Sequence, residues 1–125
     1  MIVGLGTDLV QISRIGRVQG RFPQRFARRI LTQAEFAEWS AHKHPERFLA
    51  RRFAVKEAAS KALGTGFREG LHWSDIGLSH DDLGRPLLLW FGRPAERMTQ
   101  QGWNSWVSLS DEQDYVMATV ILERA

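Results

Sequence analysis

The stretch "RFAVKEAASKALGTG", residues 52–66, combines the alanine-rich spacing of a packed helix with charged side chains at Lys56, Glu57 and Lys61. A helix in a protein core normally avoids charged side chains unless they are paired. Glu57 and Lys61 are four residues apart, with the acid on the N-terminal side, so a surface ion pair is the simplest interpretation. The other interpretation is that these charges belong to a binding site, and the rest of the sequence must decide between the two.

The segments on both sides of this helix alternate between helical and strand-like spacing of apolar residues. Pro23 interrupts the first helical pattern, Thr32 begins a capping box with Glu35, and Gly84 suits a hairpin turn. The predicted elements are, in order, a strand ending near 7–8, three helical stretches at 12–30, 33–41 and 45–63, a loop at 64–70, strands at 75–79 and 85–91, a helix at 94–102, and strands at 105–110 and 115–122. This order predicts one α+β domain over residues 1–125, with a largely antiparallel sheet packed with helices.

The composition excludes several classes of protein. The chain has 125 residues, of which 43% are hydrophobic, so it has the size and composition of one globular domain. It has no cysteine, which excludes disulfides and thiolate metal sites. No apolar run approaches the ~18 residues of a membrane span, and "MIVGLGTDLV" lacks the pattern of a secretory signal. We therefore expect a soluble, cytoplasmic protein.

A stripe of arginines gives the chain its basic character. Fourteen of the 17 basic residues are arginine, and residues 14–29 contain six of them and no acid. At about 100° per residue, five of these arginines recur within one helical sector, beside an apolar face that should anchor the helix to the protein. The stripe begins with Arg14, Arg17, Arg21 and Arg25, and the apolar face comprises Ile12, Ile15, Val18, Phe22 and Phe26. Neighbouring arginines without acids repel each other, which favours a docking surface for an acidic macromolecule over a merely solvated face.

A second group of residues is suited to binding phosphate. The central helix places Glu57 among the basic residues Arg52, Lys56 and Lys61, and it leads into the loop Gly64-Thr65-Gly66. Small residues on the same helix allow a ligand or another backbone to come close. A carboxylate among cations, followed by free backbone N–H groups, suits a metal-bound phosphate.

Asp8, at the end of the first predicted strand, has two interpretations. It can act as the N-cap of the following helix. It can also join Glu57 as a second oxygen ligand of Mg²⁺, which proteins usually hold with one or two carboxylates, water and substrate phosphates. The spacing in the sequence leaves both interpretations open.

Five segments of the chain together resemble the 4'-phosphopantetheinyl transferase family, and within it the short, trimeric class of holo-acyl-carrier-protein synthases. The resemblance covers essentially the whole chain. It is carried by "GLGTDLVQISRI", "RRILTQAEF", "RFAVKEAASKALGTG", "LGRP" and "VSLSDEQDYVMATVILE". The motifs "GxD" and "FxxKEAxxK" at this separation are highly specific when they occur together.

The resemblance implies the phosphopantetheinyl transferase fold and Mg²⁺-dependent transfer of 4'-phosphopantetheine from coenzyme A to a serine of apo acyl carrier protein, in support of fatty acid biosynthesis. Asp8 and Glu57 match the metal-binding carboxylates, and Lys61 matches the lysine beside the reacting phosphates; these three are the expected catalytic residues. Arg52 matches an arginine near the 3'-phosphate of coenzyme A. The segments that match the coenzyme-lining loops are Gly64-Thr65-Gly66 and Gly84-Arg85-Pro86. The residues that match the carrier-docking helix are Arg14, Arg17, Arg21 and Arg25.

The chain departs from the family pattern near its C-terminus. Trp106 and Asp111 stand where several relatives have histidine, so a role that depends on histidine at those positions does not transfer. Trp106 could instead stack on the adenine of the coenzyme. The family also has long members built from two such halves with one site between them, so a half-length chain implies sites shared between the subunits of a homotrimer.

Two further function classes compete with a transferase. The arginine stripe and the calculated pI of about 9.9 are also typical of a nucleic-acid-binding module. A non-catalytic domain that docks an acidic protein would use the same stripe. The nucleic-acid module gives no reason for Asp8 and Glu57, so the transferase interpretation is preferred, with neither nucleic acid nor a membrane expected as a partner.

Overall fold

The order of helices and strands agrees with the predicted α+β domain. The computed structural model of the chain describes residues 1–68 and 70–125; Glu69, in the loop predicted at 64–70, lies outside the described residues. The elements are β1 Ile2–Gln11, α1 Ile12–Arg21, α2 Pro23–Ile30, α3 Gln33–Ala41, α4 Pro45–Leu63, a short 3₁₀ helix Trp73–Asp75, β2 Ile76–His80, β3 Pro86–Trp90, α5 Gly92–Gln101, β4 Trp103–Asp111 and β5 Tyr115–Arg124. In this described part, the helical stretch predicted at 12–30 is divided into α1 and α2, with a non-helical Phe22 between them, which confirms the predicted interruption at Pro23.

The strands form two antiparallel sheets instead of one. The first has the order β1-β5-β4, and β2 pairs with β3 in a separate hairpin. β1 continues past its predicted end, and Asp8 pairs with Ala118 of β5. Gln11 is the N-cap of α1, so the interpretation of Asp8 as a helix cap is wrong. Asp8 is held within the sheet, which fixes its backbone more firmly than a loop would.

The alanine-rich face of α4 packs directly on β1. A Cβ added to Gly4 or Gly6 would collide with the carbonyl oxygens of Ala62 and Ala58, respectively. This contact confirms the expectation that the small residues of the central helix let another backbone come close. It also brings the backbone of α4 next to the middle of β1, close to Asp8.

The other face of the three-stranded sheet carries large apolar side chains that the single chain leaves in solvent. The register places Leu9 of β1 beside Met117 of β5, and Ile121 of β5 lies between Leu5 of β1 and Trp106 of β4. The exposed members of this sheet face are Leu5, Leu9, Trp106, Tyr115 and Met117. A contiguous apolar area of this kind usually marks a contact with another protein.

The predicted apolar face of the first two helices is only partly buried. Ile12 and Ile15 lie in the core, but Phe22 is 44% exposed. Phe22 has a non-helical backbone between α1 and α2, so its side chain leaves the line that the helical spacing predicts. The arginines of the stripe are exposed on the outside of these helices, as predicted.

Candidate active site

Lys61 of α4 reaches across to β1 and pairs with Asp8. Its Nζ lies 3.2 Å from Asp8 Oδ1 and donates a hydrogen bond of 2.9 Å to the Thr7 carbonyl oxygen. The Lys61 side chain is 52% exposed and the Asp8 side chain 16%. The ammonium group therefore spans from helix to strand while it remains open to a ligand.

Glu57, one turn before Lys61, lies close enough to Asp8 for the two carboxylates to interact. Burial raises the pKa of Glu57, and the negative charge of Asp8 raises it further, whereas Lys61 and Arg14 act in the opposite direction. The structure thus brings together the three residues that the sequence selected as catalytic. It adds Arg14, the first member of the arginine stripe, to their surroundings.

The donor set of this site fits a Mg²⁺ ion. Asp8 and Glu57 supply two carboxylates whose mutual repulsion a divalent cation would relieve. Within residues 1–68 and 70–125, no cluster of three or more His, Cys, Asp or Glu side chains is arranged to hold a metal. Two carboxylates are sufficient for Mg²⁺, which usually keeps several waters and completes its octahedron with substrate phosphates.

Lys56 does not belong to this group, so its assignment to the phosphate site is wrong. Its side chain is fully buried on another side of α4. The ammonium donates to the Ile30 carbonyl oxygen at 2.6 Å and to Glu35 Oε1 at 2.7 Å. Burial lowers the pKa of Lys56, while the charge of Glu35 raises it. The sequence pattern "KE" places two charges next to each other, but the helix directs them to different environments.

Arg52 lies on the same side of α4 as Lys56. Its guanidinium forms ion pairs with Glu35 at 3.7 Å and Glu38 at 3.8 Å, and it lies over the ring of Phe48 at 3.7 Å from the ring centroid. The residue is only 5% exposed, yet its Nε has no hydrogen-bond partner among the described residues. Burial lowers the pKa of Arg52. Its expected contact with the 3'-phosphate of coenzyme A stays a prediction.

The two glycine-containing segments line separate cavities in one chain. Gly64 and Gly66 have positive φ angles of 83° and 60°, and Thr65 between them borders a cavity of about 310 Å³ together with Arg68 and Arg97. The second segment has Gly84 at a φ of 85°. Its next two residues, Arg85 and Pro86, border a cleft of about 280 Å³ that Trp106 also lines. The expected stacking surface of Trp106 thus lies next to the "GRP" segment.

The arginine stripe borders a groove that the sequence pattern did not indicate. A surface depression of about 430 Å³ is lined by Val18, Phe22, Arg25, Phe26 and Arg29. The guanidinium of Arg21 lies over the ring of Phe22, 5.5 Å from its centroid. The position of Phe22 directly before Pro23 could have predicted this groove, because a proline that breaks a helix can leave the preceding side chain exposed. The stripe therefore offers apolar area together with positive charge.

Asp111, near the end of β4, has a structural contact with α4. Arg47 of α4 forms an ion pair with it at 2.9 Å and donates to the carbonyl oxygens of Glu112 and Gln113 at 2.9 and 3.0 Å. These bonds fasten the β4–β5 turn to the N-terminal part of α4. Neither Asp111 nor Arg47 approaches the Asp8–Lys61 pair through a described contact.

The central helix presents Glu57 and Lys61 to Asp8 of the first strand, and this arrangement of two carboxylates and a lysine suits a protein that handles a metal-bound phosphate. The chain belongs to the 4'-phosphopantetheinyl transferase superfamily, whose family profile matches residues 4–120. This match agrees with the resemblance found in the sequence. It covers both the "GxD" and the "FxxKEAxxK" motifs.

Individual relatives are similar over almost their entire length. A holo-[acyl-carrier-protein] synthase of Vibrio cholerae is 54% identical over 125 residues, which cover 99% of each chain. The crystal structure of the holo-[acyl-carrier-protein] synthase of Neisseria meningitidis superposes with a TM-score of 0.93 at 42% identity, over 99% of this chain and 100% of that one. The Bacillus anthracis enzyme, crystallised in complex with CoA (3',5'-ADP), has a TM-score of 0.83 at 33% identity, over 100% of this chain and 99% of that one.

Proposed function

We propose that this protein transfers the 4'-phosphopantetheine group from coenzyme A to a serine hydroxyl of apo acyl carrier protein. The observation that carries the proposal is the convergence of Asp8, Glu57 and Lys61 between β1 and α4. The names of the relatives, which are similar over nearly the whole chain, support the same reaction. The nucleic-acid-binding and docking-only alternatives do not account for the two carboxylates.

In this reaction the serine oxygen attacks the phosphorus that carries the pantetheine, and the bond from that phosphorus to 3',5'-ADP breaks. Phosphoryl transfer depends mainly on positioning and charge neutralisation. Lys61 can donate to a phosphate oxygen while Asp8 and the Thr7 carbonyl hold its ammonium in place. Asp8 and Glu57 would hold Mg²⁺, which supplies positive charge to the pyrophosphate when bound. The serine proton passes to a base at the site, either a carboxylate or a water, and the leaving 3',5'-ADP takes the electron pair of the broken bond.

We infer that coenzyme A binds between two subunits of a homotrimer. Thr65 and the Arg85-Pro86 segment border different cavities of one chain, so a coenzyme that touches both loops is best explained by two chains. The exposed apolar sheet face, which includes Leu9 and Met117, supports assembly because a monomer would leave it in water. Light scattering on the purified protein tests the assembly: a mass three times that of the 14.3 kDa chain is expected, and a monomeric mass would contradict it.

We assign the docking of the acidic carrier protein to the arginine stripe and its groove. Arg21 and Arg25 provide exposed charge, and Phe22 provides an exposed ring that a purely electrostatic surface would not need. Arg14 connects the stripe to the reacting centre because its charge acts on Glu57. A carrier bound along the stripe would therefore have its serine directed toward the end of β1 that holds Asp8.

A mass-spectrometric assay tests the reaction directly. The protein is incubated with coenzyme A, Mg²⁺ and apo carrier protein, and the carrier should gain the mass of one phosphopantetheine group at its serine. Omission of Mg²⁺, or its replacement by excess chelator, should stop the gain. A carrier with that serine replaced by alanine is the matched control, and no gain on the native carrier would refute the proposal.

We place the reaction in the cytoplasm, in support of fatty acid biosynthesis. The described residues contain no helix with the length and apolarity required to cross a bilayer. The absence of cysteine from all 125 residues is compatible with a reducing compartment. Depletion of the protein in its host should lower the fraction of holo carrier protein before it lowers total carrier, which immunoblotting after gel separation of the two forms would detect.

A further inference from the structure

Lys56 and Glu35 form a buried ionic junction that the transfer reaction leaves unexplained. Lys56 has no exposed surface, and Glu35 is 3% exposed. The ammonium of Lys56 has three acceptors: the Ile30 carbonyl oxygen at 2.6 Å, Glu35 Oε1 at 2.7 Å and the Trp73 carbonyl oxygen at 3.3 Å. These acceptors belong to the end of α2, the first turn of α3 and the 3₁₀ helix. One side chain of α4 therefore ties three other segments to the central helix.

Glu35 completes the junction by using both of its oxygens. Oε1 also accepts the backbone N–H of Thr32 at 2.9 Å, which closes the predicted capping box, and Oε2 accepts the N–H of Leu78 at 2.9 Å. The carboxylate thus links α3 to β2 as well as to α4. Each partner of the pair is neutralised and hydrogen-bonded, as a buried charge requires.

Stability alone gives a weak reason for this arrangement. A buried ion pair is often no more stabilising than well-packed apolar residues of similar size, because both charges must be desolvated. Unlike an apolar contact, the ion pair fixes the relative positions of the segments, since three acceptors must lie at hydrogen-bonding distance from one nitrogen. The role of the Lys56–Glu35 junction should therefore depend on what the segments that it holds do.

The segments held by Lys56 lie next to the proposed docking surface. α2 carries Arg25 and Phe26 of the groove and ends at Ile30, whose carbonyl oxygen is bound. On the other side, the ring of Trp73 stacks on Phe67 at 3.8 Å and on Phe53 at 5.1 Å, measured between ring centroids. Phe53 contacts Phe26 in turn, with centroids 6.2 Å apart. α2 is thus braced against α4 by the junction and by a row of aromatic rings.

We propose that Lys56 and Glu35 are positioning residues that fix the carrier-docking surface on α2 relative to the Asp8–Glu57 pair. The inference rests on the proposed function. Glu57 is the next residue after Lys56, so the same turn of α4 holds a reacting group and the tie to the docking helix. The Asp8–Glu57 site itself is supported independently by the packing of β1 on α4. Loss of the junction should therefore disturb carrier binding more than the chemical step.

The test replaces both charges together with near-isosteric neutral groups, in the double variant Glu35→Gln and Lys56→Met. Removal of one partner alone would leave an unpaired buried charge, which is far more destabilising. In the double variant the neighbouring buried cation, Arg52, loses its contact with Glu35 but keeps the ion pair with Glu38 at 3.8 Å. We expect the KM for the carrier to rise about tenfold. This factor corresponds to the net free energy that one or two hydrogen bonds contribute. We expect kcat at saturating carrier to stay within about twofold of the native value, since the reacting groups keep their own support.

A core variant on α5, Met98→Ala, is the matched control for lost stability. Met98 is buried but belongs neither to the junction nor to the proposed site. All proteins are assayed at a temperature where thermal unfolding shows them folded. Kinetic constants of the double variant equal to those of Met98→Ala would overturn the proposal, as would a fall in kcat with an unchanged carrier KM.

A milder variant covers the case in which the double variant does not fold. Glu35→Asp keeps both charges but shortens the side chain by one methylene. The hydrogen bonds from Lys56 and Leu78 to the carboxylate should therefore become longer, and no buried charge is left unpaired. The carrier KM should rise by a smaller factor, and an unchanged KM would overturn the proposal. Transfer by the native protein, measured in the same assay, tests the proposed function separately: if the native protein transfers and the variants match the control, only the junction hypothesis fails.

Discussion

Lys61 on α4 and Asp8 on β1 form a 3.2 Å ion pair between residues 53 positions apart in the sequence. The contact is possible because Gly4 and Gly6 have no side chains to keep α4 away from the strand. It joins the two motifs of the family in space, and it leaves the lysine half exposed for a ligand.

The carboxylate pair should be indispensable for transfer. Asp8→Asn and Glu57→Gln keep the size of each side chain but remove the charge that would hold Mg²⁺. We expect each to lower the transfer rate at least about 100-fold, the size of effect that follows loss of a preorganised charge at a reacting centre. Circular dichroism should show an unchanged fold. Near-native turnover with the same Mg²⁺ dependence in either variant would contradict the assignment.

Arg52 should determine how strongly the 3'-phosphate of the coenzyme contributes to binding. Native protein is expected to bind coenzyme A about tenfold more tightly than 3'-dephospho-coenzyme A, a difference typical of a charge-assisted contact. Arg52→Ala should bind the two almost equally, which calorimetric titration would measure. Because Arg52 also pairs with Glu35 and Glu38, unfolding curves must first establish that the variant is folded. An equal preference in both proteins would argue against Arg52 as the phosphate partner.

His80 offers a spectroscopic sensor for the same phosphate. In the free protein its pKa is lowered by burial and by the positive charges of Arg52 and Arg51. The unfolded chain then binds a proton more readily than the folded protein, so this histidine costs stability as the pH falls through the ordinary histidine range. A phosphate bound at Arg52 would offset the positive charge and raise the pKa of His80. NMR titration with and without 3',5'-ADP measures the change; a constant pKa would place the phosphate elsewhere.

Charge reversal in the arginine stripe should act on the carrier and not on the coenzyme. Arg21 and Arg25 are preferable to Arg14 for this test, because the charge of Arg14 also acts on Glu57. The double variant Arg21→Glu, Arg25→Glu should raise the carrier KM about tenfold or more at low salt, and less at high salt, where charges are screened. The affinity for coenzyme A should stay unchanged. A collapse of coenzyme binding with normal carrier dependence would show that the stripe belongs to the phosphate site.

The exposed sheet face should hold the assembly together. Leu9→Glu introduces a charge next to Met117, in the middle of the apolar face. A charge buried at an apolar contact is costly, so the variant should dissociate to the mass of one chain in light scattering. The matched control is Ala37→Glu, which introduces the same charge at an exposed position of α3, away from the sheet. A Leu9→Glu protein that keeps the mass of a trimer would exclude this face as the interface.

The sequence by itself determined the helices, most strand positions and the family, and it selected the candidate site residues Asp8, Glu57 and Lys61. Pro23, the Thr32–Glu35 capping box and Gly64 are local signals that act within one or two turns, and the structure confirms each of them. The "GxD" and "FxxKEAxxK" motifs were sufficient to indicate the family, which the family profile confirms. Local signals were enough for these features, because secondary structure and capping depend mainly on neighbours in the chain.

Only the tertiary structure decided where the charged residues point. Lys56 and Glu57 are adjacent in the sequence, but successive residues of a helix differ by about 100° in direction, so one enters the core and the other faces Asp8. Phe22 left its predicted apolar face because the chain bends at Pro23, and Glu35 gained its partners from α4 and β2, far away in the sequence. Partners of this kind depend on how separate elements pack, which no local pattern of residues encodes.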